Sequence, residues 1–202
     1  LDAGSPTNPF PRLSIIEPSR SKPGKDLPTI NFDRDSGSRA RSFGTEVHAV
    51  FEQIEWLEGD PATYLQELRT ATPDFFNDLQ SDAFDHVLQS LEAPELHKLF
   101  MRPQGDAEVW REKHFLTILK DESGTDQFCS GIMDRVVLHM DASGKYTAAE
   151  IIDFKTDQDP DPEKYRSQLE NYQRVLGQLI GLREDSILTK LLFTRPKKIV
   201  EF

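Results

Sequence analysis

Two hydrophobic periods divide the chain. From Gly44 to Leu57, the residues Val47, Val50, Phe51, Ile54 and Leu57 share one face of a helical period and predict a helix. Asp60 before Pro61 is an N-cap followed by proline at the first helical position, which predicts a second helix to about Leu68. Thr72 before Pro73 repeats the pattern and opens a third, with Phe76, Leu79, Phe84, Val87, Leu88 and Leu91 as its stripe. Pro94 to Phe100 is a further helical turn. The period then changes. Val109–Leu119, Phe128–Met140 and Tyr146–Lys155 are rich in β-branched and aromatic residues and are separated by the turn sequences Asp121–Asp126 and Asp141–Gly144. They predict an antiparallel meander. Pro160 and Pro162 precede a stripe of Tyr165, Leu169, Tyr172, Leu176 and Leu179 that ends near Gly181, a long helix. Ser186–Thr194 is a strand and Lys198–Phe202 a short final one. A strand, a crossover helix and another strand predict a parallel pair. The sum is an α/β chain: a mixed central sheet flanked by helices, with a helical N-terminal half.

Composition sharpens this picture at the start of the chain. Six of the thirteen prolines lie in the first 28 residues, among Ser, Gly and Arg. Such a stretch buries little apolar surface. Residues 1–42 are therefore expected to be a proline-rich linker or tail, partly disordered, with Arg34, Arg39 and Arg41 making its end mildly basic, and residues 43–202 to form one domain. A chain of 202 residues is long enough for a substantial core. No apolar run approaches the roughly 18 to 20 residues of a membrane helix, and the first ten residues lack the pattern of a signal peptide. The single cysteine, Cys129, cannot make an internal disulfide, and four-thiolate zinc or iron–sulfur centres are excluded. It reads as a small strand residue in a reducing, cytoplasmic setting. The net charge of −11 weighs against nucleic acid as a partner for the whole surface. It leaves room for local basic patches, and for carboxylates that hold a metal.

The candidate chemistry lies on the predicted strands. Asp153 and Lys155 are two apart and leave the same face of a strand whose preceding residues, Ile151 and Ile152, are apolar. Taken alone, Asp-x-Lys is a common tripeptide and reads as an ordinary ion pair at a strand end. Asp134 adds a second carboxylate in an apolar setting on the preceding strand, where a meander can place it beside Asp153. Two carboxylates brought together repel and call for a cation, for which a hard divalent ion such as Mg²⁺ is suited.

An Asp, then a strand ending in Asp-x-Lys, then a helix resembles the PD-(D/E)XK nuclease superfamily. Gly44-Thr-Glu-Val-His48 resembles the G-x-x-x-H motif of the RecB- and AddA-type nuclease domains of helicase–nucleases. Gly131-Ile-Met-Asp134 is similar to their G-x-x-D strand, and Gln168-Leu-Glu-Asn-Tyr172 to their Q-x-x-x-Y helix. The resemblance runs from about Phe43 to Phe193. It implies a restriction-endonuclease-like core. It also implies a metal held by His48, Asp134, Asp153 and the Phe154 carbonyl, with Lys155 polarising the attacking water and Gln168 and Tyr172 supporting the site. Mg²⁺ is the implied cofactor, with Mn²⁺ as a substitute. DNA is the implied substrate, as single strands or ends in recombination or repair, with a helicase domain or subunit as a possible partner. Glu52 and Glu112 are second choices for the same centre, and a solvated ion-pair role fits each equally. His86, His97, His114 and His139 have no motif context and read as structural. No G-x-x-x-x-G-K-[ST] loop occurs, so no ATP site of that kind is expected. Two alternatives stand beside a nuclease: a catalytically silent nucleic-acid-binding module, and a docking domain whose acidic face meets a basic partner.

Overall fold

A computed structural model of the chain describes residues 15–16, 43–79, 82–120, 123–158 and 160–202. Five helices lie on one side of a six-stranded mixed sheet: α1 (Phe43–Glu52), α2 (Pro61–Ala71), α3 (Pro73–Asn77), α4 (Ala83–Leu91) and α5 (Pro94–Phe100). One long helix, α6 (Arg166–Ile180), covers the other. The strands are β1 (Ile15–Ile16), β2 (Asp106–Lys120), β3 (Asp126–Met140), β4 (Tyr146–Lys155), β5 (Ile187–Phe193) and β6 (Lys198–Glu201). β2, β3 and β4 form the expected antiparallel meander, β5 is parallel to β4, and β6 is antiparallel to β5. β1 adds a short parallel strand at Phe128–Cys129 of β3. The expected tail over residues 1–42 otherwise lies outside the described residues.

Local chemistry accounts for two of the helix ends. Asp60 accepts a hydrogen bond from the Thr63 amide at 2.9 Å, which caps α2 one residue before Pro61. α6 ends at Gly181, whose φ of 71° is the left-handed conformation that glycine adopts at lowest cost. Two helices differ from expectation. The stripe from Phe76 to Leu91 is carried by α3 and α4 rather than by one helix; the apolar period runs across a polar break that begins at Asn77 and Asp78. The first helix ends at Glu52, although Ile54 and Leu57 keep the helical stripe and are buried. The segment beyond it is held by β2 and β3 instead: Arg111 donates to the carbonyl of Glu52 at 2.9 Å, and Arg135 to those of Ile54 at 2.8 Å and Glu55 at 2.7 Å. Those carbonyls are satisfied without further helix, and the Leu57 amide turns instead to the Phe100 carbonyl at 2.8 Å.

Each face of the sheet has its own core. On the α1–α5 side, Phe51, Phe100 and Phe154 pack ring against ring, with centroids 4.7 to 5.9 Å apart. On the α6 side, Val136, Leu138, Ile151 and Leu191 pack against Leu169, Tyr172 and Leu176. Residues on β4 alternate cleanly: Ile152 and Phe154 face the first core, Ala149 and Ile151 the second. β3 does not. Cys129 and Met133 face the α6 side, and so do Val136 and Leu138, so the alternation slips by one residue around Asp134. The β2–β3 ladder breaks at the same place. Arg111 pairs with Arg135 and Lys113 with Met133, while Glu112, between them, has φ 45° and makes no ladder pair with Asp134.

Candidate functional site

Where β3 bends, β4 leaves it. The β3–β4 ladder ends at Arg135↔Ile152, so Asp134 and Asp153 are the first facing residues beyond the last pair. β4 runs on beside β5 as far as Lys155↔Phe193. The strands thus open into a fork with one carboxylate on each prong. Asp134 bridges it: its Oδ2 accepts from the Phe154 amide at 2.7 Å, a donor the ladder no longer uses. The gap matters because the two faces of a sheet are otherwise isolated from one another. His48, on α1, arrives from one side and places Nδ1 3.4 Å from Asp134 Oδ1. Gln168 and Tyr172, on α6, arrive from the other. Gln168 Nε2 donates to Asp153 Oδ1 at 3.3 Å and to the Tyr172 hydroxyl at 2.9 Å.

The glycines of both N-terminal motifs have a steric explanation. A Cβ on Gly44 would lie 3.1 Å from Thr156 Oγ1, so glycine lets the start of α1 approach the end of β4 and brings His48 to the fork. A Cβ on Gly131 would lie 2.8 Å from Phe115 Cζ. Phe115 packs edge-on against Tyr172, with centroids 5.7 Å apart, so that glycine leaves room for the ring that backs the α6 residues.

The electrostatics are those of crowded carboxylates. Asp134 and Asp153 are 8% and 2% exposed. Burial, together with the neighbouring Asp134 charge, pushes the Asp153 carboxyl up to about 6 despite the nearby Lys155 ammonium. Glu112 projects toward the same place, and burial and the Asp134 charge push it up to about 7. Burial opposes the charged form of His48, but the hydrogen bond and charge of Asp134 outweigh it and raise its pKa. Lys155 is likewise raised, because Asp153 outweighs its burial. The Lys155 Nζ lies 2.5 Å from Asp153 Oδ2, a close ion pair at the end of β4. The ammonium is held from two further directions, 3.5 Å from Gln168 Oε1 and 4.4 Å above the ring of Tyr165.

His48, Glu112 and Asp134 each offer a ligand atom, all within 4.8 Å of one another. Two carboxylates and one imidazole, with the buried Asp153 carboxylate across the fork, suit a divalent metal cation. The structure therefore gathers His48, Asp134, Asp153, Lys155, Gln168 and Tyr172 around one point, and Phe154 touches it through its amide. Asp153 stands outside the three-residue ligand group, engaged by Lys155 and Gln168. Glu112, a second choice from sequence, stands inside it. Its sequence signal is weak, one acid between Arg111 and Lys113 on an exposed strand, and the unusual backbone that aims it is not legible there. Tyr165 was read as part of the apolar stripe; its position three residues before Gln168, on the same helical face, is the signal for its place beneath Lys155. Cys129 is buried on β3, as a small strand residue would be. Among the described residues no helix is long and apolar enough to cross a membrane.

A family model described as the PD-(D/E)XK nuclease superfamily matches residues 25–198. No curated protein matches the chain.

Proposed function

The chain belongs to the PD-(D/E)XK nuclease superfamily, and we propose that it is a Mg²⁺- or Mn²⁺-dependent deoxyribonuclease acting on single strands or DNA ends, with a RecB-like role in repair or recombination, alone or beside a helicase, in an intracellular compartment. The observation that carries this reading is the fork. Asp134 and Asp153 face each other there, His48 and Glu112 converge on Asp134, and Lys155 lies 2.5 Å from Asp153.

In this reading His48, Glu112 and Asp134 would hold the cation, with Asp153 and the Phe154 carbonyl completing its surroundings. A bound cation would lower the pKa of water and neutralise charge developing on the phosphate. The protein's own groups do the rest. Lys155 orients the attacking water and stabilises the charge that builds as the phosphodiester is displaced in line. Its raised pKa keeps it an ammonium, a donor rather than a base. Gln168 holds Asp153 and is itself fixed by Tyr172, so the carboxylate and the ammonium keep their separation while water enters.

Cleavage of labelled single- and double-stranded DNA in Mg²⁺, Mn²⁺, Ca²⁺ or EDTA tests this, with wild type beside Asp153→Ala and Lys155→Ala. Cleavage in Mg²⁺ or Mn²⁺ that both substitutions reduce by at least about 100-fold is the expected result. Metal binding by folded protein without any cleavage would instead support a silent binding module.

A further inference from the structure

A chain of net charge −11 with a carboxylate-lined centre must overcome its own field to hold a polyanion. If it acts on nucleic acid, as proposed above, it needs cations placed next to the centre and left unneutralised. The turn between β5 and β6 supplies them. Arg195, Lys197 and Lys198 are three exposed cations within four residues. Among the described residues none of them pairs with a carboxylate; the ion pairs formed by lysine and arginine use Lys98, Lys120, Lys155, Lys164, Arg166, Arg183 and Lys190 instead.

The turn is placed by the same ladder that places the catalytic strand. β5 runs parallel to β4 with Phe193 beside Lys155, and the Thr194 amide donates to the Lys155 carbonyl at 2.8 Å. The next residue, Arg195, donates from Nε to the carbonyl of Thr156 at 2.8 Å, and its guanidinium sits 4.8 Å above the ring of Phe43. Phe43 is the first residue of α1, five residues before His48, or about 7.5 Å of helix axis. One donor and one face of Arg195 are thus used to fix it, and its four remaining N–H groups point to no partner among the described residues. An anchored, planar, unpaired guanidinium is suited to a phosphate.

Lys197 adds an independent observation. Its φ is 53°, and with Glu112 it makes up the non-glycine residues of positive φ among the described residues. Glu112 lies in the candidate metal centre. A lysine in a conformation that favours glycine or asparagine is strained, and such strain is characteristic of functional positions. His86 lies behind the turn, bonded to Thr194 Oγ1 at 2.9 Å. Burial and the charges of Arg195 and Lys197 lower its pKa, so it stays neutral there and adds no charge of its own.

We propose that Arg195 and Lys197 form a phosphate-binding subsite that holds the substrate backbone beside the metal centre, on the α1–β5 flank of the fork. The subsite contacts backbone phosphate and does not read bases.

The test uses the full chain and a fluorescein-labelled single-stranded oligodeoxynucleotide, followed by anisotropy in Ca²⁺ over a salt series. Mn²⁺ affinity is measured by calorimetry and the Tm by thermal unfolding. Arg195→Gln is expected to weaken binding about 5- to 20-fold and to reduce the slope of log affinity against log salt by about 0.7. Arg195→Lys should keep the slope and recover part of the affinity. Lys197→Gly is the discriminating variant: it should raise the Tm by relieving the positive φ, yet weaken binding about 2- to 5-fold. A purely structural role for the turn would move both in one direction. Mn²⁺ affinity should stay at the wild-type value in all three. Wild-type DNA binding with an unchanged affinity and salt slope in Arg195→Gln and Lys197→Gly would overturn the subsite and leave the nuclease reading standing. Failure of the wild type itself to bind or cleave DNA would overturn both.

Discussion

The crowding of Asp153 against Asp134 makes a quantitative prediction about stability. In the unfolded chain the Asp153 carboxyl titrates at its ordinary value of 3.8; in the folded protein, without metal, it titrates at about 6. Between those values the folded state holds a proton that the unfolded state has released, so stability falls as pH rises through this window. At 1.36 kcal/mol for each pH unit between the two values, the loss is about 3 kcal/mol, complete by pH 7. The group is buried, so solvent does not discount the figure. Asp153→Asn removes the titration while keeping side-chain volume. The offset between variant and wild type at any one pH also contains the lost attraction to Lys155. The change in that offset between pH 4 and pH 7 does not, because Lys155 stays protonated throughout; it carries smaller contributions from Glu112 and His48, whose pKa values the Asp153 charge also raises. Urea unfolding of both proteins in EDTA at pH 4, 5, 6 and 7 should therefore show Asp153→Asn gaining about 3 kcal/mol on the wild type across the series. Mn²⁺ added to the wild type at pH 7.5 should recover stability, through binding to the folded state alone. Wild-type and variant stabilities that run parallel from pH 4 to pH 7 would refute the reasoning, because Asp153 would then titrate alike in both states.

Three further outcomes follow from named contacts. Arg135→Met should destabilise the protein by about 2–5 kcal/mol in denaturant unfolding, since it leaves the carbonyls of Ile54 and Glu55 unpaired. The pKa of Arg135, lowered to about 10 chiefly by burial, still leaves it charged at neutral pH. Gly131→Ala forces Phe115 aside and should cost about 1–3 kcal/mol by thermal or denaturant unfolding. Because Phe115 rests on Tyr172, cleavage should fall as well, in kcat rather than KM. Tyr165→Ala should lower kcat by about 2- to 30-fold and Tyr165→Phe hardly at all, since the ring face beneath Lys155 contributes roughly 0.5–2 kcal/mol; stopped-flow cleavage separates the two.

Much of the architecture was legible because it is encoded locally. The Asp60-Pro61 start of α2, the Gly181 stop of α6 and the alternation of β4 each depend on a few adjacent residues. The parallel β4–β5 pair follows from the helix between them. Element boundaries were lost where distant residues intervened: nothing near Ile54 announces that Arg135 and Phe100 will take up the backbone groups that follow α1. The motif residues were legible for the same local reason. His48 lies four residues from Gly44 and Tyr172 four from Gln168, spacings that an α-helix converts directly into shared faces.

The sequence by itself determined which residues are candidates for the chemistry and which elements bear them, because residue type and short-range period are properties of neighbouring positions. Where those residues meet was decided by the tertiary structure. The β3–β4 ladder stops at Arg135↔Ile152, and only that fork lets α1 and α6, on opposite faces of one sheet, reach the same two carboxylates. The strained backbone that aims Glu112, the ring beneath Lys155 and the anchored Arg195 also depend on contacts between residues far apart in the chain, where no local period can encode them.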